Sequence, residues 1–154
     1  MAVPKSVVKF KKGNVEYISS VDKASYTIVE LSRAAMRDVG KYLARTANAK
    51  AQKLKGLKKS RRVRGRSSTF LYNVPWAKSG LPHLEVGVTH STWYGVDQEL
   101  GTSKQPRRQI LRNSAHENVA TIVEIESQYL SAMSDEAAAL RLISEQEYSG
   151  GGED

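Results

Sequence analysis

Apolar and polar residues alternate at the start of the chain, in the stretch SVVKFKKGNVEYIS. Alternation with a period of two is typical of a strand that buries one face, and Gly13 and Asn14 tolerate the positive φ angles of a tight turn. The pattern therefore predicts a β-hairpin with strands near residues 6–10 and 15–19.

The period changes after Asp22, where no proline occurs and a set of mostly apolar residues recurs at three- and four-residue steps: Ile28, Leu31, Ala35, Val39, Tyr42 and Thr46. This spacing places them on one face of a helix. We predict a long helix over residues 23–54 with Asp22 as its N-cap. Gly40 lies inside this helix and lowers its propensity by about 1 kcal/mol relative to alanine.

The segments TFLYNVPW and LEVGVTHSTWYG are rich in β-branched and aromatic residues. They predict strands near residues 69–74 and 84–90, and residues 93–99 form either a third strand or a short helical turn. We interpret most of the aromatic residues here as packing of a sheet against helices, and some as anchors of a subunit interface.

The helical period returns after Pro106 and continues to Met133, which predicts a helix with Pro106 in its first turn. Residues 134–136 then cap a second short helix, or the first helix simply continues. The final SGGGED is typical of a flexible acidic end.

These elements together predict an α+β fold, in which a small, mainly antiparallel sheet is packed by a long N-terminal helix and a C-terminal helix. Residues 1–133 would form a single domain, and residues 134–154 an acidic extension.

The net charge of +8 conceals a division of the chain. Residues 1–115 carry 23 Lys/Arg and 7 Asp/Glu, a net +16, whereas residues 116–154 carry one base, Arg141, and 9 acids, a net −8. A basic body with an acidic tail fits either head-to-tail packing between subunits or a polyanionic partner. Composition leaves both open.

Nine basic residues and no acid lie between Lys50 and Arg66. Like charges at this density repel one another, so residues 50–68 are expected to form a mobile basic loop. Such a run can contact phosphates without reading sequence, but no aromatic residue interleaves it for base stacking. The residues predicted to contact a polyanion or a neighbouring subunit are Lys58, Lys59, Arg61, Arg62, Arg64 and Arg66.

Little in the sequence indicates catalysis. Cysteine is absent and the three histidines are irregularly spaced, so we expect no metal and no cofactor, in a protein made in a reducing cytoplasm. Asp97 and Glu99 would share one face of a strand, as two catalytic carboxylates could. No nucleophile elbow or phosphate-binding glycine loop accompanies them, so a hydrolase function that uses Asp97 or Glu99 ranks far below the other functions. No apolar run approaches the roughly 20 residues that cross a bilayer, and we expect neither a secretory signal nor a membrane partner.

The stretch DQELGTSKQPRRQILR, residues 97–112, predicts a junction between two elements. Gly101 can turn the chain, and Thr102 or Ser103 can cap the helix that follows. The Glu99 carboxylate can accept hydrogen bonds from backbone N–H groups or pair with an arginine. Arg107 and Arg108 would lie in the first helical turn, where the helix dipole disfavours them, which suggests that they meet an acidic surface of a partner.

Three pieces of this region resemble a known family: Trp93-Tyr94-Gly95-Val96, then Glu99-Leu100-Gly101-Thr102-Ser103-Lys104, then Gln109-Ile110-Leu111-Arg112-Asn113-Ser114-Ala115. They are similar to the minor head–tail joining, or tail-completion, proteins in the neck of tailed bacteriophages. The order of elements matches over about residues 21–133, and the motif itself covers residues 93–115. The family typically has an aromatic residue where Leu100 stands.

The resemblance implies a non-enzymatic ring subunit in the neck of the virion, assembled in the host cytoplasm. Its ring would be a hexamer, or alternatively a dodecamer, between a head-side connector or stopper and a tail-tube or tail-terminator protein, with double-stranded DNA passing through the lumen. Subunit or partner contacts would then involve Glu99, Gly101, Thr102, Lys104, Arg107, Arg108, Arg112, Trp93 and Tyr94. The alternative function is that of a small basic nucleic-acid-binding protein that uses the 50–66 run.

Overall fold

The structure, a computed structural model, describes residues 7–53, 70–76, 80–88, 94–104 and 106–150. It is α+β, as predicted. The elements in chain order are β1 (Val7–Lys12), β2 (Val15–Ser19), α1 (Val21–Lys53), β3 (Phe70–Asn73), β4 (Glu85–Val88), α2 (Tyr94–Leu100), α3 (Ile110–Glu117), α4 (Val119–Ala132) and α5 (Glu136–Gly150).

The chain divides into two compact units. The hairpin unit combines Met1–Ala35 with Ser127–Asp154, and the central unit is Met36–Glu126. The hairpin unit thus includes α5. The predicted domain boundary after residue 133 stays a prediction. Both α1 and α4 contribute residues to each unit.

The predicted hairpin is confirmed in the hairpin unit. β1 and β2 pair antiparallel, with Lys11 opposite Glu16, and the pairing is irregular between Val8 and Phe10. Gly13 has a φ of 59°, the left-handed conformation that a tight turn requires and that glycine adopts without a steric penalty. The register follows from this turn.

The long helix α1 also matches its prediction closely, but its first residue differs. Ala24 N donates to Ser20 O at 2.9 Å, so Ser20 rather than Asp22 occupies the N-cap position. Asp22 lies in the first turn, where its negative charge suits the positive end of the helix dipole.

A separate helix follows α4, so the chain takes the first of the two predicted options for residues 134–136. Asp135 Oδ1 accepts from Ala137 N at 3.0 Å and caps α5. Ala139 and Ile143 of α5 are buried. The helix extends to Gly150, so Ser149 and Gly150 are helical and not part of a flexible end. Residues 151–154 lie outside the described residues.

The core of the central unit is a cluster of Ala47, Phe70 and Ile110, against which Ala51, Val88 and Leu111 pack. Asn48 on α1 fixes the first residue of β3: its side-chain oxygen accepts from Phe70 N at 3.0 Å, and its amide nitrogen donates to Phe70 O at 2.8 Å. This pair of bonds satisfies both backbone groups of a residue whose side chain is fully buried.

The second predicted strand pair is confirmed, with shorter strands. β3 and β4 pair antiparallel, and Phe70 lies opposite Val88. Residues 69, 89 and 90 of the predicted strands lie outside the described residues.

Gly40 allows this sheet to approach α1. A Cβ atom at Gly40 would lie 2.7 Å from Tyr72 Cδ2 and 2.8 Å from Leu84 Cδ1. These distances are shorter than any normal carbon–carbon contact. The glycine that lowers helix propensity therefore makes room for an aromatic ring.

The helix predicted after Pro106 starts later and is interrupted. Pro106 precedes the helix, α3 begins at Ile110, and the chain leaves the helix at Asn118 before α4 begins. Asn118 Nδ2 donates to Ser114 O at 2.8 Å, and Tyr42 Oη donates to Asn118 Oδ1 at 2.7 Å. The asparagine side chain thus takes a backbone acceptor of α3, and a tyrosine on α1 holds it there.

Replacing Gly40 by alanine is expected to destabilise the protein by about 1–2 kcal/mol, because overpacking costs about 1–3 kcal/mol and the gain in helix propensity offsets up to about 1 kcal/mol. Urea unfolding followed by circular dichroism measures this change. Gly87→Ala is the matched control, because a Cβ at Gly87 would meet no atom within 4 Å. A Gly40→Ala variant as stable as the parent protein would contradict the close packing of Tyr72 on α1.

Candidate interaction site

The turn between α2 and α3 depends on Gly101. Its φ is 78°, and its N–H donates to Asp97 O at 2.9 Å, which ends α2. A Cβ atom at this position would lie 2.8 Å from the backbone nitrogen of Arg107. The predicted glycine turn is therefore confirmed. Glycine is required at this position for two reasons: the backbone has a positive φ, and the backbone of Arg107 passes close to where a Cβ atom would lie.

The Glu99 carboxylate caps α3 from twelve residues upstream. Its Oε2 accepts from Leu111 N at 3.0 Å, and its Oε1 accepts from Arg112 N at 3.1 Å. The residue at the N-cap position, Gln109, is left-handed with a φ of 50° and makes no capping bond with its side chain. Glu99 thus satisfies two of the N–H groups that a helix start leaves unpaired, and places a negative charge at the positive end of the dipole.

Backbone hydrogen bonds strengthen the same connection. Arg108 N donates to Gln98 O at 3.0 Å, and Gln109 N donates to Glu99 O at 3.3 Å. The capping role predicted for Thr102 or Ser103 is wrong, because Thr102 Oγ1 instead accepts from Lys104 N at 3.3 Å, within its own turn. The last residues of α2 therefore act as the cap of α3.

The arginines lie at this corner in a different arrangement from the predicted one. Arg107 and Arg108 precede α3, since the helix begins at Ile110, and they are not in its first turn. Arg112 is in that turn and is exposed. Among the described residues, no acidic side chain forms an ion pair with Arg107, Arg108 or Arg112. Three cations are therefore held at a fixed corner without an acidic partner in this part of the chain.

A pocket of about 320 Å³ lies beside this corner, between the end of α1 and the start of α3. We call it the basic pocket; it is lined by Lys50, Lys53, Arg108, Ile110, Asn113 and Glu117. Lys50 Nζ pairs with Glu117 Oε2 at 2.5 Å. Lys53 and Arg108 have no acidic partner among the described residues, so the pocket carries two unpaired positive charges.

The sequence interpretation missed this pocket as a site. Lys50 and Lys53 fell both in the predicted helix, residues 23–54, and in the predicted basic loop, residues 50–68, and the structure places them in the last turn of α1. Lys50 and Glu117 are 67 residues apart, and no spacing rule predicts a pair at that separation. Only the basic run itself indicated that cations would accumulate here.

Several predicted contact residues lie outside the described residues: Trp93, Lys58, Lys59, Arg61, Arg62, Arg64 and Arg66. Tyr94 is the first residue of α2, and its side chain is also outside the description. The structure therefore brings Glu99, Gly101 and the arginines together at the corner, and all of the predicted contacts with a subunit or partner stay predictions.

Asp97 and Glu99 do not share one face, because they lie on a helix and not on a strand. Glu99 also uses both carboxylate oxygens to cap α3. Within the described ranges, no group of three or more acidic or histidine side chains is placed to hold a metal ion. The paired-carboxylate geometry that a hydrolase reading requires is absent from this corner.

Helix α4 carries large apolar side chains that are exposed. Val119 is 52% exposed, Val123 55% and Leu130 66%. Their steps of four and seven residues place them on one face of the helix. An exposed apolar helix face is a common feature of surfaces that bind another protein.

Comparison of the chain with protein-family models, with curated proteins and with solved structures gives no match. Among the described residues, no helix is long and apolar enough to span a membrane. The fold and the site define an α+β protein whose basic corner has no acidic partner among the described residues.

Gly101→Ala is expected to destabilise the protein more than Gly80→Ala. Both glycines have a φ of 78°, but a Cβ at Gly80 would meet no atom within 4 Å. The Gly80 variant therefore measures the cost of the left-handed conformation alone, roughly 1–2 kcal/mol. The Gly101 variant adds the clash with Arg107. Equal losses in urea unfolding would show that the returning chain does not approach Gly101.

Glu99→Ala is expected to lower the free energy of unfolding by about 1–2 kcal/mol, because it removes a cap that satisfies two helix N–H groups. Glu99→Gln should lower the free energy of unfolding by less, since its one side-chain oxygen can still accept a hydrogen bond from a helix N–H group. Glu126→Ala is the control, an exposed glutamate for which we expect a change within about 0.5 kcal/mol. Equal unfolding energies for the Glu99 and Glu126 variants would contradict the capping role.

Proposed function

We propose that the protein is a structural ring subunit of the neck of a tailed bacteriophage, where it joins the head-side connector to the tail tube. One observation carries the proposal: the corner at residues 97–112. There the Glu-Leu-Gly-Thr turn caps α3 and holds Arg107, Arg108 and Arg112 without acidic partners among the described residues. The same stretch carries the sequence resemblance to neck proteins. A hydrogen-bonded turn that presents cations without acidic partners in the described part of the chain is suited to contact with another subunit.

The exposed apolar face of α4 supports the oligomeric part of the proposal. Val119, Val123 and Leu130 are each more than half exposed. Burying such side chains against a second subunit stabilises an assembly, at about 25 cal/mol per Å² of apolar area removed from water. In a ring, this apolar face of α4 can be buried against a neighbouring subunit, whereas in a monomer it stays exposed to water.

The division of charge supports a head-to-tail arrangement. Residues 1–115 have a net charge of +16 and residues 116–154 a net charge of −8. Contacts between unlike surfaces close into a ring when the rotation between neighbours divides a full turn. A hexamer is the expected ring and a dodecamer the alternative, and both would surround double-stranded DNA in the virion neck. In this role the protein needs no catalytic residue and no cofactor.

The basic pocket also keeps a second candidate function in consideration, which is binding of nucleic acid. Lys53 and Arg108 pair with no acidic side chain in the part of the chain that the structure describes, and the basic run to Arg66 follows Lys53 in the sequence. Contacts of this kind would be with phosphates, and their affinity would fall steeply with salt. Salt-dependent binding of a DNA duplex by the monomer, lost when residues 58–66 are neutralised, would favour this function over the ring.

Arg107→Glu combined with Arg108→Glu is expected to shift the protein from rings to monomers, because charge reversal at the corner repels an acidic neighbour. Light scattering after gel filtration measures the mass, and negative-stain imaging shows the ring. Lys12→Glu with Arg45→Glu is the matched control, since it changes the net charge equally at two other exposed bases. Rings that survive the Arg107 and Arg108 reversal, or a parent protein that stays monomeric at about 100 μM, would count against the proposal.

The position in the virion is tested separately. Genes for a portal and a major capsid protein on one side of this gene, and for a tail tube on the other, are the arrangement that a neck protein requires. Co-purification with those proteins from assembled particles would place the ring, and its presence only in the soluble, unassembled fraction would argue against the neck.

A further inference from the structure

The basic pocket has the geometry of a receptor for acidic side chains. It is lined by Ile110, which is buried, and by Lys53 and Arg108, which have no acidic partner among the described residues. The Asn113 side chain also lines it. Lys50 is already neutralised by Glu117, so the attraction available to a ligand comes from Lys53 and Arg108. A ligand with two or more carboxylates would match this pair of charges.

The chain itself carries a segment with this chemistry. Residues 145–154, written EQEYSGGGED, contain Glu145, Glu147, Glu153 and Asp154 and no basic residue. Glu145 pairs with Arg141 within α5, at 3.6 Å, and both side chains are largely exposed. The other three acids, Glu147, Glu153 and Asp154, follow Glu145 in the sequence. This stretch of ten residues therefore has a net charge of −4.

We propose that the basic pocket binds this acidic C-terminal segment, residues 145–154, of a second copy of the chain. The proposal deepens the ring assembly proposed above and takes the second copy from it. Each subunit would offer one basic pocket and one acidic segment, so every contact around a closed ring would be the same heterologous contact. The +16 and −8 parts of the chain would then meet between subunits.

An acidic peptide fits the pocket better than a nucleic-acid duplex does. The pocket is concave and holds about 320 Å³, and the Glu117 carboxylate forms part of its lining. A duplex carries its phosphates on the outside of a wide, stiff rod, at about one charge per 1.7 Å of axis, and a rod of that width does not enter a concave pocket of this volume. A single peptide chain can insert one or two carboxylates beside Lys53 and Arg108.

The test uses the full-length chain with its own tail neutralised by Glu145→Gln, Glu147→Gln, Glu153→Gln and Asp154→Asn. A fluorescent peptide of residues 144–154 is titrated against this protein at low salt. We expect a dissociation constant on the order of 100 μM, typical of a contact made by a few charges. Binding should weaken as salt is raised, and a peptide with the same four acids neutralised should not bind.

The decisive comparison is between two double charge reversals, one at residues that line the pocket and one at residues outside it. Lys53→Glu with Arg108→Glu is expected to weaken peptide binding by about tenfold or more, because attraction becomes repulsion. Lys12→Glu with Arg45→Glu changes the net charge equally and should leave binding within about twofold, since these residues do not line the pocket. Lys53→Gln with Arg108→Gln, checked by its thermal midpoint, provides the same comparison if the reversed variant does not fold.

The outcomes separate this proposal from the ring. Equal weakening by both reversed pairs, or no binding of the peptide, overturns the pocket as the receptor. A 20-base-pair duplex that binds through Lys53 and Arg108 while the peptide does not would also overturn it, in favour of nucleic acid. Rings without peptide binding would leave the ring function standing and remove this contact. Peptide binding without rings would support the pocket as a receptor for the acidic segment, and would remove the ring together with the second copy that the proposal takes from it.

Discussion

The hydrogen bonds from the backbone of α3 to the Glu99 carboxylate are the constraint on which the candidate site depends. They connect the end of α2 to the start of α3 across the turn at Gly101. Because Leu111 and Arg112 are held by this carboxylate, Ile110 immediately before them is directed into the core with Ala47 and Phe70. One side chain thus fixes both a helix start and the entry of that helix into the core.

The second half of α1 provides the surface on which the central unit is built. Gly40 admits Tyr72, Asn48 holds both backbone groups of Phe70, and Lys50 pairs with Glu117 on α3. These contacts follow one another along a single helix, at intervals of about two turns or less. The helix therefore positions the sheet and one wall of the basic pocket together, and a change in its packing would alter both.

The elements that the sequence predicted well are those whose signal is local. The hairpin, α1 and the strand pair agree with the structure to within one or two residues at most of their ends, because periodicity and turn residues act over a few neighbours. The start of α3 was misplaced, because its cap is a carboxylate twelve residues upstream and not the Thr102 or Ser103 nearest to it. The break at Asn118 was also missed, because Tyr42, 76 residues away, helps to hold it. The spacing of residues along the sequence does not indicate contacts between residues this far apart.

The sequence by itself determined the hairpin, the long helix and the second strand pair, the need for glycine at the α2–α3 turn, and the separation of basic and acidic charge along the chain. These are properties of neighbouring residues and of composition. Only the tertiary structure decided which charges are paired: Lys50 lies against Glu117 and is neutralised, whereas Lys53 and Arg108 line the same pocket and form no ion pair with an acidic side chain of the described residues. The physical reason is that a Coulomb interaction depends on distance in space, and packing α3 against the end of α1 sets that distance.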